Sequence, residues 1–135
     1  MALRSDEALD RAVAALEATF DPIAIVLFGS RASGRATDAS DFDLATLIGA
    51  GAPDPFALAR ARVDLEALLG RTVDLVVLDD ASPIVRMEIL RNHRTLRNRD
   101  AERWEDFCVR TLHEYLDLKQ VRAPIERALL AGDCT

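Results

Sequence analysis

The chain has 135 residues, half of them hydrophobic, and a formal net charge of −6 from 23 acidic and 17 basic residues. This length is enough for one domain with a buried core. We expect residues 1–135 to form a single domain, with its core over about 21–100 and a C-terminal helical extension over 101–131. An acidic chain lacks the basic face that usually holds polynucleotides, so direct polynucleotide binding is not expected.

The sequence also shows no targeting signal and no cysteine spacing typical of a metal site. No apolar run approaches the roughly 18 residues of a membrane span, and the first residues lack an apolar leader segment. Cys108 and Cys134 have no metal-type spacing and are interpreted as reduced thiols. These observations predict a cytoplasmic protein without membrane association.

Helices and strands alternate along the chain, which favours an α/β (α+β) fold with a small mixed sheet covered by helices. Helices are expected at 5–20, 31–36, 54–70, 82–90 and 100–131, and strands at 23–28, 41–48, 73–78 and 94–97. Asp54-Pro55, Ser82-Pro83 and Asp100 are start signals, and Gly70 is a stop signal. Pro124 is expected to kink or restart the long last helix.

Two acidic residues begin the second predicted strand. Asp41 and Asp43 are spaced i, i+2, so a strand places them on one face, while Phe42 points to the other. Two carboxylates side by side repel each other unless a cation lies between them. A Gly29-Ser30 turn, which could hold phosphate, follows the preceding apolar strand. Together these features predict magnesium and a nucleotide.

A third carboxylate, Asp74, interrupts the apolar run at 73–78. An ionised group in such a run is costly unless it is paired, hydrogen-bonded or bound to metal. Three aspartates on two neighbouring strands could hold two divalent ions about 3.5–4 Å apart, as in-line displacement at phosphorus requires.

These residues resemble those of the DNA polymerase beta-like nucleotidyltransferase superfamily: Gly29-Ser30, then Asp41-x-Asp43, then Asp74 on a later strand. The short form Gly-Ser-x-Ala-x-Gly at 29–34, with Ser-Asp-x-Asp-Leu at 40–44, is similar to the minimal nucleotidyltransferases. These are the MntA-type antitoxins that pair with HEPN-domain toxins. The resemblance covers residues from about 21 to 100.

The resemblance implies the polymerase beta-like nucleotidyltransferase fold with a long C-terminal helix. It also implies the antitoxin of a type VII pair, which transfers AMP from ATP to a tyrosine of a cognate HEPN ribonuclease and so inactivates it. Asp41, Asp43 and Asp74 would be both catalytic residues and ligands of two Mg²⁺ ions. Gly29, Ser30 and Arg31 would bind the nucleotide. An oligomer with the toxin is expected.

Other interpretations stay open at this stage. Gly29-Ser30 alone is an ordinary turn, Asp74 alone is an edge carboxylate facing water, and Arg31, like Arg35 and Arg86, is also typical of surface ion pairs. The second hypothesis is an antibiotic-type small-molecule nucleotidyltransferase, which the lack of an acceptor domain in these residues disfavours. The third is an antitoxin that acts by binding alone. An apolar set near the C-terminus predicts a contact with a partner: Leu118, Val121, Ile125 and Leu129.

Overall fold

The computed structural model describes residues 5–37 and 39–131, so Asp38 and Cys134 lie outside the described residues. It contains the predicted alternation of helices and strands. In chain order the elements are α1 Ser5–Phe20, β1 Ala24–Phe28, α2 Ser30–Ser33, β2 Phe42–Leu47, α3 Pro55–Leu69, β3 Val73–Val77, α4 Pro83–Arg91, β4 His93–Asn98 and α5 Ala101–Leu130. None of the described helices is long and apolar enough to cross a membrane.

The four strands form one mixed sheet in the order β3-β2-β1-β4. Strand β1 pairs antiparallel with both β2 and β4, whereas β2 pairs parallel with β3. The mixed sheet covered by helices, and with it the predicted fold class, is confirmed.

Local sequence signals fix most element boundaries. The Asp54 side chain accepts a hydrogen bond from the Phe56 amide ahead of Pro55, and Gly70 ends α3 in the left-handed region with φ 67°. Ser82 and Asp100 cap α4 and α5 in the same way, with side-chain oxygens that accept from the amides of Val85 and Arg103. These caps satisfy amides that a helix end leaves unpaired, which explains why the predicted starts agree with the structure.

The sheet separates two layers of apolar side chains. The α1–α3 face packs α1 and α3 against the sheet, and its buried residues include Leu16, Leu27, Leu44 and Leu65. The α4–α5 face packs α4 and α5, and its buried residues include Val26, Ala45, Leu47, Ile89 and Phe107. Because strand side chains alternate, neighbouring residues of β2 belong to opposite faces.

The structure corrects three predictions about local structure. Helix α2 is Ser30–Ser33 rather than 31–36, because Gly34 ends it in the left-handed region with φ 77°. Strand β2 begins at Phe42 rather than Asp41, so Asp41 lies directly before it. Helix α5 runs without interruption through Pro124. Proline removes one backbone donor but does not forbid helical φ, and the surrounding helix continues past it.

Only a narrow face of α5 is buried. Phe107 and Thr111 are buried, whereas Leu112 and Leu116 are 44% and 49% exposed. Farther along, Val121, Ile125 and Leu129 are exposed as well. The second half of α5 therefore presents an apolar row that the described part of this chain does not cover.

Two buried threonines differ in their hydrogen bonding. The hydroxyl of Thr46 donates to the carbonyl oxygen of Ala24 at 3.2 Å. The hydroxyl of Thr111, equally buried, has no partner among the described residues. A buried hydroxyl without a partner keeps its desolvation cost and gains nothing in return.

Replacing Thr111 with valine should therefore raise the free energy of unfolding by about 1 kcal/mol, because the isosteric methyl group needs no partner. The matched change Thr46→Val should lower it by about 1 kcal/mol through loss of a hydrogen bond. Urea denaturation measures both values, provided that the slope of the unfolding free energy against urea concentration is unchanged. A loss of stability in Thr111→Val would contradict this account.

Candidate active site

Strand register brings two of the predicted carboxylates together. Asp43 in β2 lies opposite Asp74 in the parallel strand β3, and opposite Phe28 in the antiparallel strand β1. Adjacent strands are about 4.8 Å apart. The two aspartates are therefore nearest neighbours across the β2–β3 pairing, at the end of the sheet where β1 runs into the Gly29-Ser30 turn.

The side chains of the three aspartates belong to one face of the sheet. Phe42 and Leu44 pack on the α1–α3 face, so Asp43 points to the α4–α5 face, and Asp41, two residues earlier, lies on the same side of the chain. Leu75 packs on the α1–α3 face as well, which places Asp74 with the other two aspartates. Asp41 and Asp74 are exposed, and Asp43 is half-buried.

The environment of Asp43 disfavours its charged form. Burial is the largest cause that raises the pKa of the Asp43 carboxyl, and the nearby negative charges of Asp74 and then Asp41 raise it further. A carboxylate crowded by two others is the arrangement in which a divalent cation, with oxygen ligands, relieves the repulsion.

The donor chemistry of these side chains fits a hard divalent cation, but they do not form a closed cage. Across residues 5–37 and 39–131, no group of three or more His, Cys, Asp or Glu side chains has the mutual arrangement of a metal site. The register holds Asp43 and Asp74 together through paired strands, whereas Asp41 is carried by the segment ahead of β2.

Gly29 is required at its position for two independent reasons. Its backbone has φ 71° and ψ −153°, a region that only glycine occupies readily. A Cβ atom at this position would also collide with Oδ2 of Asp43 and lie 3.0 Å from its Cγ. The turn thus lies directly against the Asp43 carboxylate.

Ser30 opens the short helix α2 directly after this turn. The Gly29 carbonyl oxygen accepts from the amides of Ala32 and Ser33 at 3.1 and 3.2 Å, which closes the first turn of α2. Ser30 itself is half-buried. Ser30 therefore follows directly on the residue that lies against the Asp43 carboxylate.

Arg31 contacts the segment ahead of β2. Its Nη2 atom donates to the Ser40 carbonyl oxygen at 2.6 Å, and its Nε atom donates to the Ser40 and Asp41 carbonyl oxygens at 3.1 and 3.3 Å. The guanidinium carbon lies 3.8 Å from the ring centroid of Phe42.

Other arginines lie away from the three aspartates or form hydrogen bonds and ion pairs within the chain. Arg86 donates to the carbonyl oxygens of Leu78 and Asp79 at 2.8 Å each, beyond the opposite end of β3 from Asp74. Three arginines on and around β4 have partners within the chain. Arg97 pairs with Glu17 at 3.3 Å, Arg99 pairs with Asp21 at 3.6 Å, and Arg91 donates to the Tyr115 hydroxyl at 2.9 Å.

A cavity of about 520 Å³ lies at the other end of the strands. Ile23, Leu47, Asp79 and Arg103 are among its lining residues, and none of the three predicted catalytic aspartates borders it. The strand register, Ala24 opposite Leu47 and Phe28 opposite Asp43, separates this cavity from the carboxylates. Asp41 and Asp74 are exposed, and Asp43 is half-buried, at the opposite end of the strands.

Two carboxylates that sequence analysis does not single out stabilise the strand ends. Oε2 of Glu66 accepts from the Val73 amide at 3.1 Å, next to Asp74. Asp79 accepts from the amides of Ile48 and Gly49 at 2.8 Å each. These three bonds join residues that are 7, 31 and 30 positions apart in the chain, so no local pattern of the sequence indicates them.

A small mixed sheet that sets an Asp-x-Asp pair, a third aspartate and a Gly-Ser turn at one end has the architecture of a nucleotidyltransferase. Residues 11–102 match the family described as "Polymerase beta, Nucleotidyltransferase". The chain belongs to this family. A search of curated proteins finds no significant match.

Solved structures similar to this chain include toxin–antitoxin proteins. A toxin–antitoxin crystal structure with AMP-PNP contains a chain with TM-score 0.78 and 28% identity, covering 90% of this chain and 98% of the other. A Shewanella oneidensis MNT antitoxin in complex with a tri-AMPylated HEPN toxin shares the fold, with TM-score 0.79, 24% identity, and coverage of 94% and 99%.

A third solved structure, described as a minimal nucleotidyltransferase, has TM-score 0.56 and 31% identity, covering 70% of this chain and 97% of the other. The resemblance to minimal nucleotidyltransferases is confirmed, and so is the expectation of a nucleotidyltransferase. The roles of the individual site residues stay predictions.

Gly29→Ala should lower the free energy of unfolding by about 3 kcal/mol, because the backbone strain of about 1–3 kcal/mol is joined by the collision with Asp43. Gly34→Ala is the matched control, since Gly34 also has positive φ, at 77°, but no atom lies within 4 Å of its Cβ position. It should cost only about 1 kcal/mol. Equal losses in urea denaturation would show that Gly29 does not contact the carboxylate.

Asp43→Asn should stabilise the protein at pH 7 in buffer containing a chelator. The raised pKa of Asp43 means that the folded state retains its proton to higher pH than the unfolded state, so ionisation destabilises the fold as pH rises through the raised pKa. Below the unfolded value of about 4 the carboxyl is protonated in both states, and the gain should vanish.

Urea denaturation at pH 7 and pH 3.5 measures this difference, with Asp64→Asn on the exposed side of α3 as the control. A gain in Asp43→Asn that is equal at both pH values would contradict the electrostatic cause.

Proposed function

We propose that this nucleotidyltransferase is the antitoxin of an MNT–HEPN toxin–antitoxin pair. In this proposal it transfers AMP from ATP to a tyrosine hydroxyl of a cognate HEPN ribonuclease and thereby inactivates it. The observation that carries the proposal is the register of Asp43 against Asp74 beside the Gly29 turn. It is supported by the likeness, over 90% of the chain, to a toxin–antitoxin protein crystallised with AMP-PNP.

The reaction assigns a role to each site residue. The oxygen of the acceptor hydroxyl attacks the α-phosphorus of ATP, the bond from that phosphorus to the bridging oxygen breaks, and pyrophosphate leaves. Asp74, which is exposed, would accept the proton of the attacking hydroxyl. Gly29 and Ser30 would hold the triphosphate, because a residue without Cβ lets the phosphates approach the backbone.

Asp41, Asp43 and Asp74 are the residues that would bind Mg²⁺, with two ions expected. When bound, the metal supplies positive charge that offsets the charge on the phosphate oxygens. Burial is the largest cause that raises the pKa of Asp43, and the charges of Asp74 and Asp41, which raise it further, support this assignment because they belong to the same site.

The openness of the site favours a macromolecular acceptor. Small-molecule sites are usually clefts that bury most of the ligand, whereas two of the three carboxylates here are exposed and lie outside the 520 Å³ cavity. The exposed apolar row Val121, Ile125 and Leu129, at 71%, 61% and 56% exposure, supports a protein partner.

Two alternatives have distinct signatures. An antibiotic-type enzyme would adenylylate a small aminoglycoside efficiently without a protein partner. An antitoxin that acts by binding alone would neutralise the toxin after its carboxylates are removed.

The test is co-expression with the product of the neighbouring gene, followed by the intact mass of that product. We expect a rise by whole adenylyl units with the wild type and none with Asp43→Asn, because the amide keeps the shape but not the charge. Asp80→Asn, at an exposed position after β3, is the control and should act like the wild type.

An unmodified toxin that still binds tightly would replace the proposal with inhibition by contact. Modification that persists in Asp43→Asn would remove the carboxylates from the mechanism.

A further inference from the structure

The guanidinium group of Arg31 links the nucleotide turn to the strand that carries the carboxylates. Arg31 is the second residue of α2, and its Nη2 and Nε atoms converge on the Ser40 carbonyl oxygen at 2.6 and 3.1 Å. Nε also donates to the Asp41 carbonyl oxygen at 3.3 Å. A planar guanidinium can make several such bonds at once because its donors have fixed directions.

The guanidinium group of Arg31 also lies against a buried aromatic ring of the core. The guanidinium carbon lies 3.8 Å from the centroid of the Phe42 ring, a distance typical of cation–π contact. Phe42 is only 4% exposed and packs with Leu9 and Val13 of α1. The position of Arg31 is therefore determined by buried residues.

Strand geometry places this contact on the far side of the sheet from the carboxylates. Phe42 points to the α1–α3 face, and Asp43, its neighbour, points to the α4–α5 face. Arg31 and Phe42 line a small cavity of about 110 Å³ together with Asp6 and Leu9 of α1. A phosphate between the turn and Asp43 would thus lie on the face opposite to the guanidinium.

We infer that Arg31 is a positioning residue rather than a phosphate ligand. By fixing the carbonyl groups of Ser40 and Asp41, it holds the segment from which the Asp41 and Asp43 side chains project. Asp41 precedes β2 and lacks the strand pairing that holds Asp43 against Asp74. The inference rests on the proposed function for its catalytic consequence, but its structural part can be tested separately.

Two variants separate the roles. Arg31→Lys keeps the positive charge and loses the planar fork, whereas Arg31→Gln loses both. A positioning role predicts that kcat falls about 10–100-fold in both variants, as for other groups that orient metal ligands. The Kd of AMP-PNP with Mg²⁺, measured by calorimetry, should change by the same factor in both variants, because both lose the fork that holds Asp41. Arg60→Lys, exposed on α3, is the control.

Hydrogen exchange supplies a readout that does not require activity. The Phe42 amide donates to the Thr72 carbonyl oxygen at 3.0 Å and so reports the β2–β3 pairing next to Asp43. Both Arg31 variants should accelerate exchange at Phe42 and Asp43, and Arg60→Lys should not.

A phosphate ligand would give the opposite result and overturn the inference: Arg31→Lys would retain AMP-PNP affinity, Arg31→Gln would lose tenfold or more, and exchange would be unchanged. Unaltered kcat and exchange in both variants would overturn it as well. If the wild type transfers no AMP to any acceptor, the proposed function fails, while the exchange comparison still decides the role of Arg31.

Discussion

The parallel pairing of β2 with β3 sets Asp43 beside Asp74, and the rest of the structure must stabilise this like-charge contact. Two adjacent carboxylates oppose folding, and the pKa of Asp43 is raised first by burial of its carboxyl and then by the charges of Asp74 and Asp41. The opposing stabilisation comes from the two apolar faces of the sheet, which bury Leu27 and Leu44 on one side and Val26 and Ala45 on the other. The Glu66–Val73 hydrogen bond adds a fixed start for β3.

Register also decides which side of the sheet the site faces. A slip of one residue in β2 would turn Asp43 toward α1 and move Phe42 out of the core, so the burial of Phe42 specifies the orientation of Asp43. Gly29 adds a second constraint, because the turn that it forms lies against the Asp43 carboxylate. Strained backbone and repelling charges thus occur at one end of the sheet, as is common at functional sites.

Much of this arrangement could be predicted from local sequence, because caps and alternation act over a few residues. Asp54, Ser82 and Asp100 cap helices as their patterns predict. The strand order and the Asp43–Asp74 register depend on contacts across about thirty residues, which only the family resemblance indicated. The contacts of Arg31 and the burial of α5 depend on three-dimensional neighbours, so no pattern in the sequence specifies them.

The position of the candidate site at one end of the sheet bears on how the proposed acceptor would be selected. The exposed Asp74 lies in the edge strand β3, and the 520 Å³ cavity is at the opposite end of the strands, so the walls of that cavity cannot orient an acceptor at Asp74. Productive geometry requires the attacking oxygen about 3–3.5 Å from phosphorus. For the proposed protein acceptor, that precision would come from contacts elsewhere on its surface. The apolar row at Val121, Ile125 and Leu129 is a surface of the kind that a large acceptor would need.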